Sequence, residues 1–403
     1  MFYVNCVGPQ NNGKNIITFD GGSTVYNGEG KPCALMNNDH KQQLQVFDLK
    51  LMHGTPEVQR PHTDKIAEKR AAIISGLKYF ATMNGMETDP NTIIGLSGGI
   101  DSAVAACLFV EAYGKKKVVT LNMPTQYNSE ATRQAAAQVA RNLNVAYVTL
   151  PIGELVKCNL KLLCPMTTDL VVPPLVEENV QAKIRGTSIL SNAAQMVGGI
   201  FSNNGNKLEV FLGYATLYGD WGGAIAPLGD LTKAEVYDMA RYINDRSDRA
   251  IIPKQMIPDA FYQFGEGKIK PSAELRENQV DPIKVGYHDA IVEKVMDYRK
   301  ASPRHIMQAW LDKRLPEYLG IDPKYMELYN LDNADIFIDD LTWLIDTMHG
   351  ATFKRVQSVP IIITSKSAFG YDYRESILPR DSWRTAEMLK KIEEVKKRGN
   401  YYT

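Results

Sequence analysis

The sequence is poor in the residues that mark disulfide-rich and zinc-binding proteins. It contains 5 cysteines and 6 histidines among 403 residues, and no two cysteines form a Cys-x-x-Cys pair. Disulfide frameworks and zinc sites both depend on such groupings, so we expect neither in this chain. The histidines form no His-Glu-x-x-His or similar pattern, and a histidine-ligated metal is therefore not expected.

The sequence also has no long apolar run and no excess of charge of either sign. Its 46 basic and 46 acidic residues balance, so no overall field attracts nucleic acid or an anionic membrane. Apolar runs such as residues 103–110 are too short to cross a bilayer, and the first residues lack the basic and apolar segments of a signal peptide. We therefore expect a cytoplasmic protein without a membrane or nucleic-acid partner.

Residues 91–110, NTIIGLSGGIDSAVAACLFV, place a glycine turn between two apolar runs. The first run, residues 92–96, has the β-branched character of a buried strand, whereas residues 103–110 continue as a helix. The Ser-Gly-Gly turn at residues 97–99 therefore stands where the unpaired N–H groups and the dipole of a helix bind an anion. This turn predicts a phosphate or pyrophosphate site, with an ordinary strand-to-helix turn as the alternative.

The same stretch differs from two familiar nucleotide-binding loops. It contains neither Gly-x-x-x-x-Gly-Lys-Ser/Thr nor Gly-x-Gly-x-x-Gly. The complete string Ser-Gly-Gly-Ile-Asp-Ser at residues 97–102 resembles the pyrophosphate loop of the ATP-pyrophosphatase enzymes. Those enzymes activate a substrate as an adenylate and release pyrophosphate.

Three regions of different character follow one another along the chain. Residues 1 to about 50 are rich in strand and turn signals, and NIITFDGG, STVYNGEGKP and QLQVFDL each predict a strand. From about residue 63 to 301, short strands (TIIGL, KVVTLNM, NVAYVTL) alternate with amphipathic helices, which predicts an α/β fold with a doubly wound parallel sheet. The last region is predicted to be helical to about residue 346, extended at VPIIIT and helical again over residues 383–398.

Five further segments carry a specific family resemblance. LSGGIDSAVAACL, ENVQAKIRG, GNKLEVFLGYATLYGDWGGAIAPLGDLTKAEVY, KPSAELRENQVD and FKRVQSVPIIITSKSAFGYDYR occur in the order typical of NAD synthetases of the glutamine-dependent type. The resemblance covers most of residues 64–300 and returns at 353–374. It implies an ATP-pyrophosphatase fold, similar to the adenine nucleotide alpha-hydrolases. It also implies amidation of nicotinic acid adenine dinucleotide to NAD through an acyl-adenylate, with release of AMP and pyrophosphate.

The resemblance implies ATP and Mg²⁺ as cofactors and assigns residues to them. The pyrophosphate loop would comprise Ser97, Gly98, Gly99, Asp101 and Ser102. Asp101 and Glu209 match the magnesium ligands, while Lys233 and Ser272 match residues on the ATP phosphates. Two departures from single-domain relatives are Asn206, where threonine is frequent near the metal, and Leu208, where a small residue is common.

A second group of residues falls on the motifs that surround the dinucleotide. These are Arg185, Asp220, Lys354 and Arg355. Ammonia has to lose a proton during amide formation, and free ammonia is scarce beside ammonium at neutral pH. Asp220 is the candidate for binding ammonium and accepting that proton, which makes it a fourth catalytic candidate beside Asp101, Glu209 and Lys233.

The first residues, YVNCVGPQNNGKNIITFDGGSTVYNGEGKPC, resemble the final strands of a nitrilase-like glutaminase domain. The stretch that would carry the Glu, Lys and Cys catalytic group of that domain is missing from the match, so this chain alone is expected to use ammonia. The expected domains are residues 1–50, a glutaminase remnant, and residues 60–403, the synthetase. The remnant is expected to pack on the synthetase body, pair with a second copy or complete a separate glutaminase subunit, with a homodimer favoured.

Other readings of the glycine loop stay open at this point. By itself it fits GMP synthetase, argininosuccinate synthetase, asparagine synthetase or a tRNA-thiolating enzyme, and the balanced charge and absent Cys-x-x-Cys weaken the last of these. A relative that amidates nicotinate mononucleotide is a further alternative. From another class, the chain could be a catalytically inactive nucleotide-binding subunit of a split glutamine-dependent enzyme.

Overall fold

The computed structural model describes residues 1–38, 40–48, 56–59, 63–86, 89–166, 172–277, 279, 281–296, 301–369 and 382–402. The strands are β1 (Phe2–Tyr3), β2 (Val7–Asn11), β3 (Ile16–Asp20), β4 (Thr24–Tyr26), β5 (Pro32–Leu35), β6 (Thr92–Gly95), β7 (Val118–Asn122), β8 (Ala146–Thr149), β9 (Ile200–Phe201) and β10 (Ile362–Ile363).

The α-helices fall into two groups along the chain. Those before residue 250 are α1 (Lys65–Met83), α2 (Ile100–Tyr113), α3 (Glu130–Leu143), α4 (Gly153–Leu163), α5 (Pro174–Lys183), α6 (Ser191–Met196), α7 (Lys207–Leu212) and α8 (Lys233–Asp245). Those after it are α9 (Tyr287–Met296), α10 (Pro303–Leu311), α11 (Leu315–Leu319), α12 (Lys324–Leu328), α13 (Ala334–Gly350), α14 (Thr352–Arg355) and α15 (Ala386–Arg398).

The centre of the fold is a four-stranded parallel sheet in the order β8-β7-β6-β9. Ile94 and Leu96 belong to the apolar core shared with α1, α2, α3 and α8, whereas Ile93 belongs to a second core with residues of α4 and α5. A strand covered on both faces has no polar side, which explains the uninterrupted apolar run that predicted it. The predicted α/β fold with a parallel sheet is confirmed.

Helices α5 and α6 form one continuous helical segment, as the sequence predicts for ENVQAKIRGTSILSNAAQMV. Residues Ile184–Leu190 between them make a π-helical turn. Such turns insert a residue into a helix and are frequent at functional sites. This one includes Arg185, a predicted substrate-binding residue.

The N-terminal residues contribute to two small sheets, and strands β2 and β3 of the second contact helix α1. One is antiparallel, in the order β1-β4-β5; in the other, β3 pairs with β2 and, in parallel, with β10. Ile16 donates its N–H to the carbonyl of Ile361 at 3.0 Å. Asn15, which is buried, donates through Nδ2 to the carbonyl of Phe369 at 3.0 Å. The N-terminal unit therefore packs on the body of this chain, the first of the three arrangements expected.

Two sequence-based predictions of local structure are wrong in detail. QLQVFDL forms no strand in its described part, residues 43–48, because Leu44 and Val46 lie 95% and 89% exposed and have no sheet face to cover. The last helix begins at Ala386 rather than Trp383, since the Thr385 hydroxyl accepts the N–H of Met388 at 3.3 Å and caps it.

The C-terminal helices build a separate apolar core beside the sheet. Trp310, Phe337 and Tyr401 pack together in it, and the Trp310 indole donates to the carbonyl of Leu331 at 2.7 Å. No helix in the described parts of the chain combines the length and the apolar content needed to cross a bilayer.

Candidate active site

A cavity of about 320 Å³ lies at the carboxyl ends of β6 and β7. Parallel α/β sheets bind their ligands at this edge. The wall consists of residues 95–102 and 121–124, parts of the segments 182–190 and 201–222, residues of α8, and the segment 269–275. The glycine loop and the predicted catalytic carboxylates thus face one space.

The glycine loop joins β6 to the N-terminus of α2, as predicted. Gly98 adopts a φ of +94°, and a Cβ on it would lie 2.1 Å from the carbonyl oxygen of Thr132, so no other residue fits. The hydroxyl of Ser97 accepts the N–H of Gly99 at 3.1 Å, and that of Ser102 donates to the carbonyl of Gly99 at 2.9 Å. These contacts hold the backbone N–H groups at the start of α2 in one arrangement.

Asp101, Glu209 and Lys233 meet at the cavity wall although they belong to different helices. Lys233 donates through Nζ to Asp101 Oδ2 at 2.5 Å, and its Nζ lies 3.6 Å from Glu209 Oε1. The three residues are in the first turns of α2, α7 and α8. Folding therefore brings together the two predicted metal ligands and the predicted phosphate-binding lysine.

Asn206 fixes both carboxylates of this group. Its Nδ2 donates to Asp101 Oδ1 at 2.9 Å, while its Oδ1 accepts the N–H groups of Leu208 and Glu209. The carboxylate of Glu209 in turn accepts the N–H of Asn206 at 3.2 Å, which completes a capping box at the start of α7. The sequence suggested that Asn206 stands near the metal, but its contact with Asp101 is visible only in the structure.

Burial and charge together determine the protonation of the cluster. Burial, and then the negative charge of Asp101, raise the pKa of Glu209 to about 8, against the opposing effect of Lys233. Burial lowers the pKa of Lys233, but Asp101 and Glu209 outweigh it and hold that pKa above its usual value. Lys233 is therefore charged at neutral pH, whereas Glu209 favours its protonated form until a further cation offsets the negative charge of the two acidic groups.

The donor set fits Mg²⁺ that is shared with a phosphate substrate. Mg²⁺ usually takes one or two protein carboxylates and completes its octahedron with water and substrate phosphate oxygens. Asp101 and Glu209 supply two carboxylates at the mouth of the glycine loop. Within the described part of the chain, no cluster of three or more His, Cys, Asp or Glu residues is arranged to hold a metal ion.

The segment 269–275 forms the opposite wall and carries Ser272. The Ser272 hydroxyl accepts the N–H of Glu274 at 3.1 Å. Sequence reasoning missed several wall residues, among them Glu274 and Asp281. Burial raises the pKa of Asp281, against the nearby charge of Lys233, and its Oδ1 is buried without a partner in the described structure. Both lie within the quoted segment KPSAELRENQVD, but no local pattern shows that they face the cavity.

Arg185 and Asp220 also line the cavity. Arg185 donates through Nε to the carbonyl of Met123 at 3.2 Å, and burial lowers its pKa to about 10 despite the charges of Asp220 and Glu274. Asp220 accepts the N–H of Thr216 at 2.6 Å. Desolvation by the surrounding wall raises its pKa, although backbone hydrogen bonds and Arg185 oppose this, and the residue keeps contact with solvent. The wall therefore offers a guanidinium group and a carboxylate of raised basicity.

The structure does not bring Lys354 and Arg355 to the cavity wall. Lys354 donates through Nζ to the carbonyls of Gly213 and Ala215 at 2.8 and 2.7 Å. Arg355 is 3% exposed and donates to the carbonyl of Phe211 at 2.5 Å. Both residues satisfy carbonyl groups around the C-terminus of α7, so they support the wall from behind. Their contact with substrate stays a prediction.

Comparison with known proteins agrees with this geometry. The sequence model of the NAD synthase family matches residues 79–317. Glutamine-dependent NAD(+) synthetases are similar: that of Synechocystis sp. is 29% identical over 384 residues, or 94% of this chain and 60% of that protein. The protein from Xanthomonas campestris is 34% identical over 295 residues, covering 72% of this chain and 50% of that protein. The chain thus spans about half to three-fifths of the length of these two relatives.

Two solved structures share the fold. A glutamine-dependent NAD+ synthetase from Acinetobacter baumannii, in complex with ADP, has a TM-score of 0.56 and 26% identity over 94% of this chain and 61% of its own. A glutamine-dependent NAD(+) synthetase from Cytophaga hutchinsonii has a TM-score of 0.65 over 98% of this chain and 64% of its own; at 16% identity it shows the fold alone. Since the family model covers more than half of the residues, the chain belongs to the NAD synthase family.

Proposed function

We propose that this chain uses ATP to amidate nicotinic acid adenine dinucleotide to NAD. The observation that carries the proposal is the meeting of Asp101, Glu209 and Lys233 beside the glycine loop in one cavity. Membership of the NAD synthase family supports the same activity. The reaction forms a carbon–nitrogen bond, which makes the chain a ligase.

The first step converts a poor leaving group into a good one. A nicotinate carboxylate oxygen attacks the α-phosphorus of ATP, the bond to the β-phosphate oxygen breaks, and pyrophosphate leaves with the electron pair. Negative charge then grows on the phosphates, where the ammonium of Lys233 and the N–H groups at the start of α2 are placed to meet it. Mg²⁺, when held by Asp101 and Glu209, would neutralise part of that charge.

In the second step ammonia attacks the acyl-adenylate. The new carbon–nitrogen bond forms, the bond to AMP breaks, and the nitrogen gives up a proton. Asp220 lines the cavity and has a raised pKa, which suits a carboxylate that accepts this proton. Arg185, on the same wall, is the proposed partner of a phosphate of the dinucleotide.

We also propose that this chain takes free ammonia rather than glutamine as its nitrogen source. Residues 1–50, proposed as a unit distinct from 60–403, contribute short strands, of which β3 pairs with β10, and these strands resemble the final strands of a glutaminase domain. Since the curated relatives are named glutamine-dependent, a separate glutaminase subunit that supplies the ammonia is a further proposed partner.

A homodimer is the proposed assembly. Strand β1 lies at the edge of its sheet, and Phe2 and Val4 are 50% and 82% exposed there. An edge strand with exposed apolar residues favours pairing with a second copy. Sedimentation at micromolar concentration is expected to give the dimer mass, and a monomer alone would refute this assembly.

The activity is tested with purified chain, MgATP and nicotinic acid adenine dinucleotide, with either ammonium or glutamine as the nitrogen source. We expect NAD and AMP in equal amounts with ammonium and neither product with glutamine. NAD formed from glutamine would contradict the ammonia-only proposal. In a third arm, nicotinate mononucleotide replaces the dinucleotide, and product there alone would replace the proposed substrate with the mononucleotide.

A further inference from the structure

One side chain fastens the segment 270–275 across the cavity to helix α3. Glu274 Oε2 accepts hydrogen bonds from Asn128 Nδ2 at 3.0 Å and from the Thr132 hydroxyl at 2.8 Å. Glu274 Oε1 accepts the N–H of Ser129, the cap of α3, at 3.3 Å. The carboxylate therefore binds the N-terminal turn of α3, where unpaired N–H groups and the helix dipole favour a negative charge.

The backbone of the same residue is in an unfavourable conformation. Glu274 has a φ of +47°, in the left-handed region that residues other than glycine rarely adopt. Local backbone preference therefore works against the observed path of the segment. The contacts of the Glu274 side chain with α3 are what offset this strain.

The segment has a second anchor on helix α5. Gln181 of α5, which is fully buried, donates through Nε2 to the carbonyl of Leu275 at 2.9 Å. Thr132, which binds Glu274, also lies against the glycine loop. Its carbonyl oxygen is so close to Gly98 that a Cβ added to that glycine would lie 2.1 Å away. The segment, α3 and the glycine loop thus meet around Thr132.

The closed arrangement leaves little room for the reactants. This cavity measures about 320 Å³, at the lower end of the range of about 300–1,000 Å³ that is common for small-molecule sites. Under the proposed function it has to admit two nucleotides. Residues 270–275 all form part of its wall. Movement of this segment is the simplest way to enlarge the cavity, and the contacts of Glu274 oppose that movement.

We propose that Glu274 is a positioning residue that latches the segment 270–275 closed over the nucleotide cavity, and that opening of this latch limits the entry and release of nucleotide. The first part concerns the chain by itself. The second part rests on the proposed function, because it requires nucleotide to bind in the cavity. The two parts are tested by separate measurements.

The latch itself is tested by amide hydrogen exchange on the ligand-free chain. Compared with wild type, Glu274→Ala is expected to speed exchange about tenfold at Ser129 and in the segment 272–275, as loss of a charged hydrogen bond predicts. Glu274→Gln keeps one carbonyl oxygen and is expected to fall between the two. The matched control is Glu277→Gln, on an exposed residue two positions beyond the segment, which should leave exchange unchanged. Unchanged protection in Glu274→Ala would overturn the latch.

The gating role is tested by the kinetics of MgATP. Because the latch limits both entry and release, Glu274→Ala is expected to raise the association and dissociation rates of MgATP about tenfold each, with a smaller change in Kd, and Glu274→Gln should restore part of the difference. A purely structural role would lower the Tm and kcat without a selective change in nucleotide release. Equal release rates in all variants would overturn the gating role. Wild-type chain that binds no MgATP would refute the proposed function, whereas the exchange result would still decide the latch.

Discussion

At the scale of single residues, the site depends on groups that hold the reacting side chains in place. Asn206 binds Asp101 through its amide and caps the helix that carries Glu209. Asn206 has no exposed surface. If a shorter side chain took its place, water could not reach the site to supply the lost hydrogen bonds. The orientation of both predicted metal ligands therefore rests on one residue.

Replacement of Asn206 tests this dependence. Asn206→Ala is expected to lower the free energy of unfolding by about 1 kcal/mol through loss of the cap. Because Asp101 also loses its partner, we expect kcat/KM to fall about 10–100-fold. Asn206→Thr, which keeps a hydroxyl for both contacts, should recover most of the activity. Urea unfolding and steady-state assays with ammonium measure the two effects, and equal activity in Asn206→Ala and wild type would contradict the assignment.

The glycine loop allows a comparison of two glycines. Gly98→Ala is expected to abolish activity and to lower the free energy of unfolding by well over 1 kcal/mol, since its Cβ would collide with Thr132. Gly114 ends the same helix at a φ of +84° but has nothing within 4 Å of an added Cβ. Gly114→Ala should therefore lose about 1 kcal/mol and keep its activity. Equal activity in the two variants would mean that the loop tolerates displacement.

At the scale of secondary structure elements, strand β3 joins the N-terminal unit to β10. Asn15 supplies two contacts across this junction, donating to the carbonyl of Phe369 and accepting the N–H of Ile361. These two partners lie more than 300 residues away in the sequence. The junction therefore contributes to the stability of the whole chain and not only of its first residues.

Asn15→Ala tests the strength of this junction. It removes the side-chain partner of two buried backbone groups and is expected to lower the free energy of unfolding by about 1–3 kcal/mol. Asn192→Ala is the control, because Asn192 is exposed and bonds only within its own helical segment. Chemical denaturation measures both changes. A stability of Asn15→Ala equal to that of the control would mean that the N-terminal unit docks only weakly.

The elements differ in how far the sequence predicts them. The strand at 92–95 and the turn after it follow from local pattern, because an apolar run and two glycines suffice to predict them. The pairing of Asp101 with Lys233 joins residues 132 positions apart, and only the family resemblance pointed to it. QLQVFDL alternates like a strand, but its described residues pair in no sheet. Glu274 lines the cavity with a strained backbone that no local pattern predicts.

At the scale of the whole molecule, a buried ion cluster links the C-terminal helices. Asp340 accepts hydrogen bonds from Lys284 and, at 3.1 Å, pairs with Nε2 of His288. Burial raises the pKa of Asp340, but His288 and Lys284 outweigh it and lower that pKa below its usual value. A carboxylate with a lowered pKa stabilises the folded state above its unfolded pKa, and this contribution is lost as the pH falls through the folded value.

The pH dependence of stability tests this cluster. Asp340→Asn is expected to be less stable than wild type at pH 7 by about 1–3 kcal/mol, and the difference should shrink as the pH falls below about 4. Urea unfolding from pH 7 to pH 3 measures it. A difference that stays constant over this range would show that the charge of Asp340 does not stabilise the fold.

The cavity is proposed to adenylate a carboxylate, and isotope transfer from that carboxylate tests the reaction. The chain is incubated with MgATP, ammonium and nicotinic acid adenine dinucleotide that carries ¹⁸O in its carboxylate. The masses of the products are then measured by mass spectrometry. Attack of the carboxylate on the α-phosphorus predicts one ¹⁸O in AMP for each NAD formed, and none in pyrophosphate. Unlabelled AMP, or label in a phosphate derived from the β- or γ-position, would contradict the account.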